Sequence, residues 1–254
     1  MKNIHLILVC LSLVLAISSC KDKKEDTPSP NTNPGSIKIE MNHVWNNIAF
    51  SLNTDYTTNL GQVVNINKFK YYISNISLKK SDGTYYNIPD SYYLIDGSTS
   101  QTLFELTNIP AADYTGIKMM IGVDSARNVS GAQTGALDPA NNMFWTWSSG
   151  YIMLKMEGSS PSASGGSFTF HNGGYAGSNA VQRWFEDDFA SDVADINAET
   201  SHTVDMRINV AEFFTGPTDL DLSVLSFNMA TGSTASAIAD RYSDMIEVDH
   251  LHQE

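Results

Sequence analysis

Ser36-Ile37-Lys38-Ile39-Glu40-Met41-Asn42-His43-Val44-Trp45 decides the fold of this 254-residue chain. Ile37, Ile39, Met41, His43 and Trp45 share one parity, and Lys38, Glu40, Asn42 and Val44 share the other. A two-residue period of this kind belongs to a strand with one face in a core. The next strand-like run, Phe69-Lys70-Tyr71-Tyr72-Ile73-Ser74-Asn75-Ile76-Ser77-Leu78, shifts its apolar parity between Ile73 and Ile76, which predicts a β-bulge near Ser74-Asn75. Asp82-Gly83 then supplies a hairpin turn into Tyr85-Tyr86-Asn87-Ile88.

Further strands are predicted at 92–95, 102–106, 116–123, 150–157, 167–171, 202–210 and 220–227, with Gly, Asn, Asp and Pro between them. Helical periodicity is confined to 181–194 and 233–245, with a single turn at 211–214. The expected fold is all-β: a single antiparallel β-sandwich or barrel-like domain over 36–254 with one or two short helices.

Before that domain, Lys2, an apolar run from Ile4 to Ile17, and Ser18-Ser19-Cys20 have the form of a bacterial lipoprotein signal. The apolar run is shorter than the roughly 20 residues of a membrane span. The expected processing removes 1–19 and places lipid on Cys20. Residues 20–35, charged and then rich in Pro, Asn and Thr, form a disordered tether. The expected location is the cell envelope, on an outer membrane reached through the lipid anchor, facing either the periplasm or the surface. Acidic residues directly after Cys20 resemble the export tags of surface lipoproteins in the Bacteroidetes. The only other cysteine, Cys10, leaves with the signal, so the domain rests on its core without a disulfide or a thiolate ligand. The formal charge of −13 makes nucleic acid an unsuitable partner.

The sequence contains no phosphate-binding Gly-rich loop, no Gly-x-Ser-x-Gly elbow and no His-Glu-x-x-His pair, and no enzymatic activity is expected. Histidine carries more information. His43 and His202 stand at the ends of apolar rows, His171 closes Phe168-Thr169-Phe170-His171 on the opposite parity, and His250 and His252 continue the row Ile246-Val248. Strand ends in a sandwich form a rim where a ligand can reach packed side chains. Neutral imidazole suits copper or zinc, and His250-x-His252 on an extended segment points both rings to one side. Asp249 and Glu247 stand near enough to accept from those rings. Met41, on the face of His43, offers a thioether.

A second feature is the run Met143-Phe144-Trp145-Thr146-Trp147-Ser148-Ser149-Gly150-Tyr151, which places two of the four tryptophans two residues apart beside a turn. Together with Tyr71-Tyr72-Ile73-Ser74-Asn75, Tyr93-Leu94-Ile95-Asp96, Ile121-Gly122-Val123-Asp124 and Gly135-Ala136-Leu137-Asp138-Pro139, it resembles the methanobactin-associated periplasmic copper-binding proteins, the MbnP-like family, in its Bacteroidetes lipoprotein members. That resemblance implies an all-β envelope protein that sequesters or delivers copper, as Cu+ or Cu2+. It implies His43 and His171 as histidine ligands, Trp145 or Trp147 as a residue oxidised to kynurenine, and a di-haem peroxidase-type partner that performs the oxidation. No histidine flanks the tryptophan pair here. An alternative is a glycan- or peptide-binding surface lipoprotein using exposed aromatics such as Trp45, Trp145, Trp147 and Trp184.

Overall fold

The alternating run becomes β1 (Gly35–Trp45), in which Ile37, Ile39, Met41, His43 and Trp45 are all buried and the side chains between them half-buried. The computed structural model describes residues 32–98, 101–131, 133–146, 148–216 and 218–253. The leader, Cys20, most of the tether and Trp147 lie outside them. After β1 come β2 (Ile48–Ala49), β3 (Asp55–Thr57), β4 (Val63–Lys80), β5 (Tyr85–Asn87), β6 (Tyr92–Asp96), β7 (Gln101–Ile109), β8 (Ala112–Ile121) and a short helix α1 (Ser125–Asn128). The second half holds β9 (Phe144–Thr146), β10 (Gly150–Ser159), β11 (Ser167–Gly173), β12 (Arg183–Asp188), β13 (Ala194–Ile196), β14 (His202–Asn209), β15 (Phe227–Asn228), α2 (Ser233–Tyr242) and β16 (Ile246–Gln253).

Two sheets result. The smaller runs β16-β14-β1-β2, with β7 also paired to β1. The larger runs β12-β8-β4-β10-β11-β15, with β3, β5 and β6 added along β4, β9 on β10 and β13 on β8. Their inner faces meet through aromatic side chains: His43 of β1 stands edge-on to Phe69 and Tyr71 of β4, and Trp45 stacks on Tyr56 of β3 at 4.7 Å. The domain is therefore an all-β sandwich.

Most strand pairs are antiparallel, but β1 runs parallel to β14, with Lys38 opposite Thr203 and Val44 opposite Asn209, and β11 runs parallel to β15. The purely antiparallel expectation is corrected at these two places. A parallel neighbour needs a long crossover, and here every strand of the larger sheet except β15 lies between β1 and β14 in the chain. The predicted bulge is present: Asn75 has φ 51° and the β4–β8 register shifts between Ser74 and Ser77.

Residues 181–194 are not helical. Their central part is β12, an edge strand whose Phe185 is buried opposite Met119 of β8. Strand pairing to an open sheet edge overrides local helical periodicity there. Residues 220–227 form a turn and only the start of β15, because the Asp221 carboxylate accepts from the Ser223 N–H and hydroxyl and so closes the chain locally. The helix predicted at 233–245 is α2, which buries Ala235, Ile238, Ala239 and Tyr242 along one face.

The tryptophan-containing segment is pinned from below by Asn128. Its buried amide donates to the carbonyls of Val123 and Asp124 at 2.9 Å each, and its Oδ1 accepts from the Tyr151 N–H at 2.9 Å. Gly150 at φ +75° lies against that amide so closely that a Cβ would fall 2.2 Å from Asn128 Oδ1. Asn128→Ala strands the Tyr151 N–H, while the Val123 carbonyl keeps Gln182 Nε2 and the Asp124 carbonyl keeps the residue-128 N–H; the expected cost is about 1–2 kcal/mol, read as a lower urea midpoint. An unchanged midpoint would show that water replaces the amide.

Candidate metal centre

The outer face of the smaller sheet carries the alternate side chains of β1, β14 and β16. Asp205 sits in the middle strand, beside Glu40 of β1 on one side and His250 of β16 on the other. Its carboxylate is buried, and Asn42 Nδ2 donates to Oδ1 at 3.1 Å. The free oxygen, Oδ2, lies 3.1 Å from His250 Nε2 and 2.9 Å from His252 Nδ1. Neither contact has hydrogen-bond geometry, so Oδ2 is buried close to two ring nitrogens without accepting from either. One oxygen and two nitrogens thus fall within 4.8 Å of one another.

The histidines reach this face through a bulge. Asp205 pairs with His250 but Met206 pairs with Val248, so Asp249 is an extra residue in β16. The insertion reverses side-chain parity, and it corrects the expectation that His250 and His252 continue the row of Ile246 and Val248. Both imidazoles are exposed, while Leu251 between them packs against the core. Asp249 Oδ2 lies 3.1 Å from His250 Nδ1, as an acceptor that fixes the ring and leaves Nε2 toward Asp205. Glu247 instead pairs with Arg207.

The electrostatics suit a cation. Burial, followed by the charge and hydrogen bond of Asp205, raises the Glu40 carboxyl above its usual range, while the two histidines act in the opposite direction. Two imidazoles with one carboxylate, and a second carboxylate beside them, form a donor set for a late first-row divalent ion such as copper or zinc.

The other predicted residues lie elsewhere. His43 is buried among Phe50, Phe69 and Tyr71, with Nε2 3.1 Å from the Tyr71 hydroxyl. Met41 is fully buried on the same face of β1, across that strand from Glu40. His171 projects from the outer face of the larger sheet, its Nε2 2.8 Å from Glu157 Oε1, and burial holds its pKa below the usual histidine range. His43 and His171 therefore face opposite sides of the larger sheet and do not meet. His202 binds Asp195 Oδ1 through Nε2 at 2.8 Å. Trp145 is half-buried against the Gly173 backbone, where a Cβ would come within 2.7 Å of its ring. Phe144 packs on Tyr151 at 5.0 Å, and the Tyr151 hydroxyl donates to the Leu137 carbonyl.

Asp205 and Glu40 escaped the reading of the sequence. The available signal was a lone carboxylate at the centre of Val204-Asp205-Met206, where both neighbours belong to the core.

A β-sandwich presenting two imidazoles around a buried carboxylate defines the class: an all-β domain with three side chains of metal-ligating type grouped on a sheet face. More narrowly, the chain belongs to the MbnP family, whose model matches residues 34–231. Among solved structures it is similar to MbnP from Methylosinus trichosporium, at 12% identity over 80% of this chain and 83% of that chain, with a TM-score of 0.49. No curated protein matches. His250 and His252 lie beyond the matched residues, so the triad is placed by this chain's own last strand.

Proposed function

We propose that this protein is a copper-binding, non-enzymatic lipoprotein of the cell envelope that holds its metal at Asp205, His250 and His252, with Glu40 beside them. The observation that carries the reading is the convergence of Asp205 Oδ2, His250 Nε2 and His252 Nδ1 without hydrogen bonds among them. Family membership favours copper among the ions these donors suit. The lipoprotein signal and the tether support an envelope location, and Trp145 and the di-haem partner belong to the same reading through the family resemblance. For Cu2+, imidazole nitrogens and carboxylate oxygens supply a mixed N,O set; for Cu+, the two imidazoles suffice.

The test is copper titration of purified protein followed by dialysis against a weak chelator. About one copper per chain is expected to remain, and less as acid protonates the imidazoles. A His250→Ala/His252→Ala variant is expected to retain none, whereas His43→Phe and His171→Phe keep it. Nitrogen hyperfine structure in the paramagnetic resonance spectrum reports the imidazoles. Equal retention by the double-alanine variant would sink the assignment.

A further inference from the structure

The outer face of the larger sheet holds a different constellation. On β4, Lys68 and Lys70 alternate with Phe69 and Tyr71, which are fully buried in the core. On β10, Lys155 and Glu157 alternate with Leu154 and Met156 in the same way. The register places Lys155 directly opposite Lys70 on one side and His171 on the other. Like charges in direct cross-strand register repel, and a fold retains them where something compensates.

Part of the compensation is internal. Lys68 pairs with Glu157 at 2.9 Å and Lys70 with Asp96 at 2.8 Å. Lys155 differs: it is only 7% exposed, its ammonium donates to the Asn142 backbone carbonyl, and among the described residues no carboxylate pairs with it. A buried ammonium without a bonded counter-charge is costly, and Glu157, whose charge does act on Lys155, is bonded to Lys68 and His171 instead. This one borders a cavity of about 150 Å³ lined by Lys68, Lys70, Asn141, Asn142 and Lys155, enough for several waters or one small ion. The local field is positive. Burial lowers the Lys155 pKa, Glu157 opposes it, and Lys68 and Lys70 lower it further; burial likewise lowers His171, against its hydrogen bond to Glu157, and the charge of Lys155 adds to the lowering.

We propose that this cavity binds a small oxyanion, phosphate or a carboxylate group, on the Lys155 ammonium, with Lys68 and Lys70 completing a cationic wall. Charge-assisted bonds from a partly desolvated ammonium are stronger than those available on an open surface. A chain with a net charge of −13 does not attract anions generally, so binding here comes from the local arrangement. The proposal is independent of the metal centre, which lies on the other sheet.

Thermal unfolding of the full chain in phosphate, acetate and chloride at matched ionic strength tests it. Phosphate or acetate is expected to raise the midpoint by about 5 °C over chloride once the anion exceeds its dissociation constant about a hundredfold. The larger of the two shifts identifies a tetrahedral oxyanion or a carboxylate. The shift should vanish in Lys155→Met, shrink in Lys70→Gln, and persist in Lys80→Met, which lies on the same strand outside the cavity. No rise above the chloride baseline, or an undiminished rise in both Lys155→Met and Lys70→Gln, overturns the proposal. Lys70→Gln decides the matter if Lys155→Met does not fold.

Discussion

Phe69→Ala is expected to lower the stability of this domain by about 3–5 kcal/mol, the cost of deleting a buried aromatic ring and leaving a cavity where it stood. Phe69 is fully buried on the core face of β4. Its ring lies 5.7 Å from His43, 6.1 Å from Phe50 and 5.2 Å from Tyr71, so it ties the two sheets at one point. Strand backbones fixed by pairing on both sides collapse little into a void, which places the cost toward the upper part of the range. The measurable result is a thermal midpoint lower by roughly 10 °C, and a lower urea midpoint with an unchanged slope. Phe69→Leu keeps much of the volume and should cost less than half as much. Copper retention in the folded fraction of either variant should match that of the parent, since the triad lies on the outer face of the smaller sheet. A loss below about 1 kcal/mol for Phe69→Ala would mean that the core relaxes around the missing ring.

The same strand period that places Phe69 explains what could be read from the residues alone. Ile37 to Trp45 alternate without interruption, β1 follows, and His43 falls inside because its parity places it there. The bulge at Asn75 was legible because the apolar residues on either side of it are large enough to mark the change of face. At Asp249 the flanking residues are Val248 and His250, and an imidazole fits either a core row or a solvent row. The parity change was therefore invisible, and with it the outward direction of both histidines. Asp205 was hidden for a different reason. Its partners arrive from β1 and β16, through a parallel pairing and a bulged one, and no local pattern encodes either. The resemblance to MbnP-like proteins did identify the family, through the run 143–151 and the strands beneath it. It implied His43 and His171 as ligands; His43 of β1 packs on Phe69 and Tyr71 at the inner face of the larger sheet, while the alternation along β11 turns His171 to the outer face beside Lys155.

Asp205→Asn should separate metal affinity from folding. The amide keeps the shape of the side chain but has no anionic oxygen to place 3.1 Å from His250 Nε2 and 2.9 Å from His252 Nδ1. Losing a charged ligand from a three-donor set is expected to weaken copper binding by about 100-fold or more, roughly 2.8 kcal/mol, measured by competition with a chelator of known affinity. Without metal the effect on stability should have the opposite sign. Burial is the largest cause raising the Glu40 pKa, and the charge of Asp205 adds to it. A carboxyl whose pKa is higher in the folded state contributes stability at low pH, and that stability is lost as pH rises through the folded value. Replacing Asp205 by a neutral amide removes the charge-dependent part of this loss, so the metal-free variant should be as stable as the parent near neutrality, or more so. Parallel loss of metal affinity and folding stability would instead make Asp205 a structural carboxylate that the strands need irrespective of any ion. Loss of affinity with stability intact is the result expected of a ligand whose neighbours already tolerate its charge at a cost.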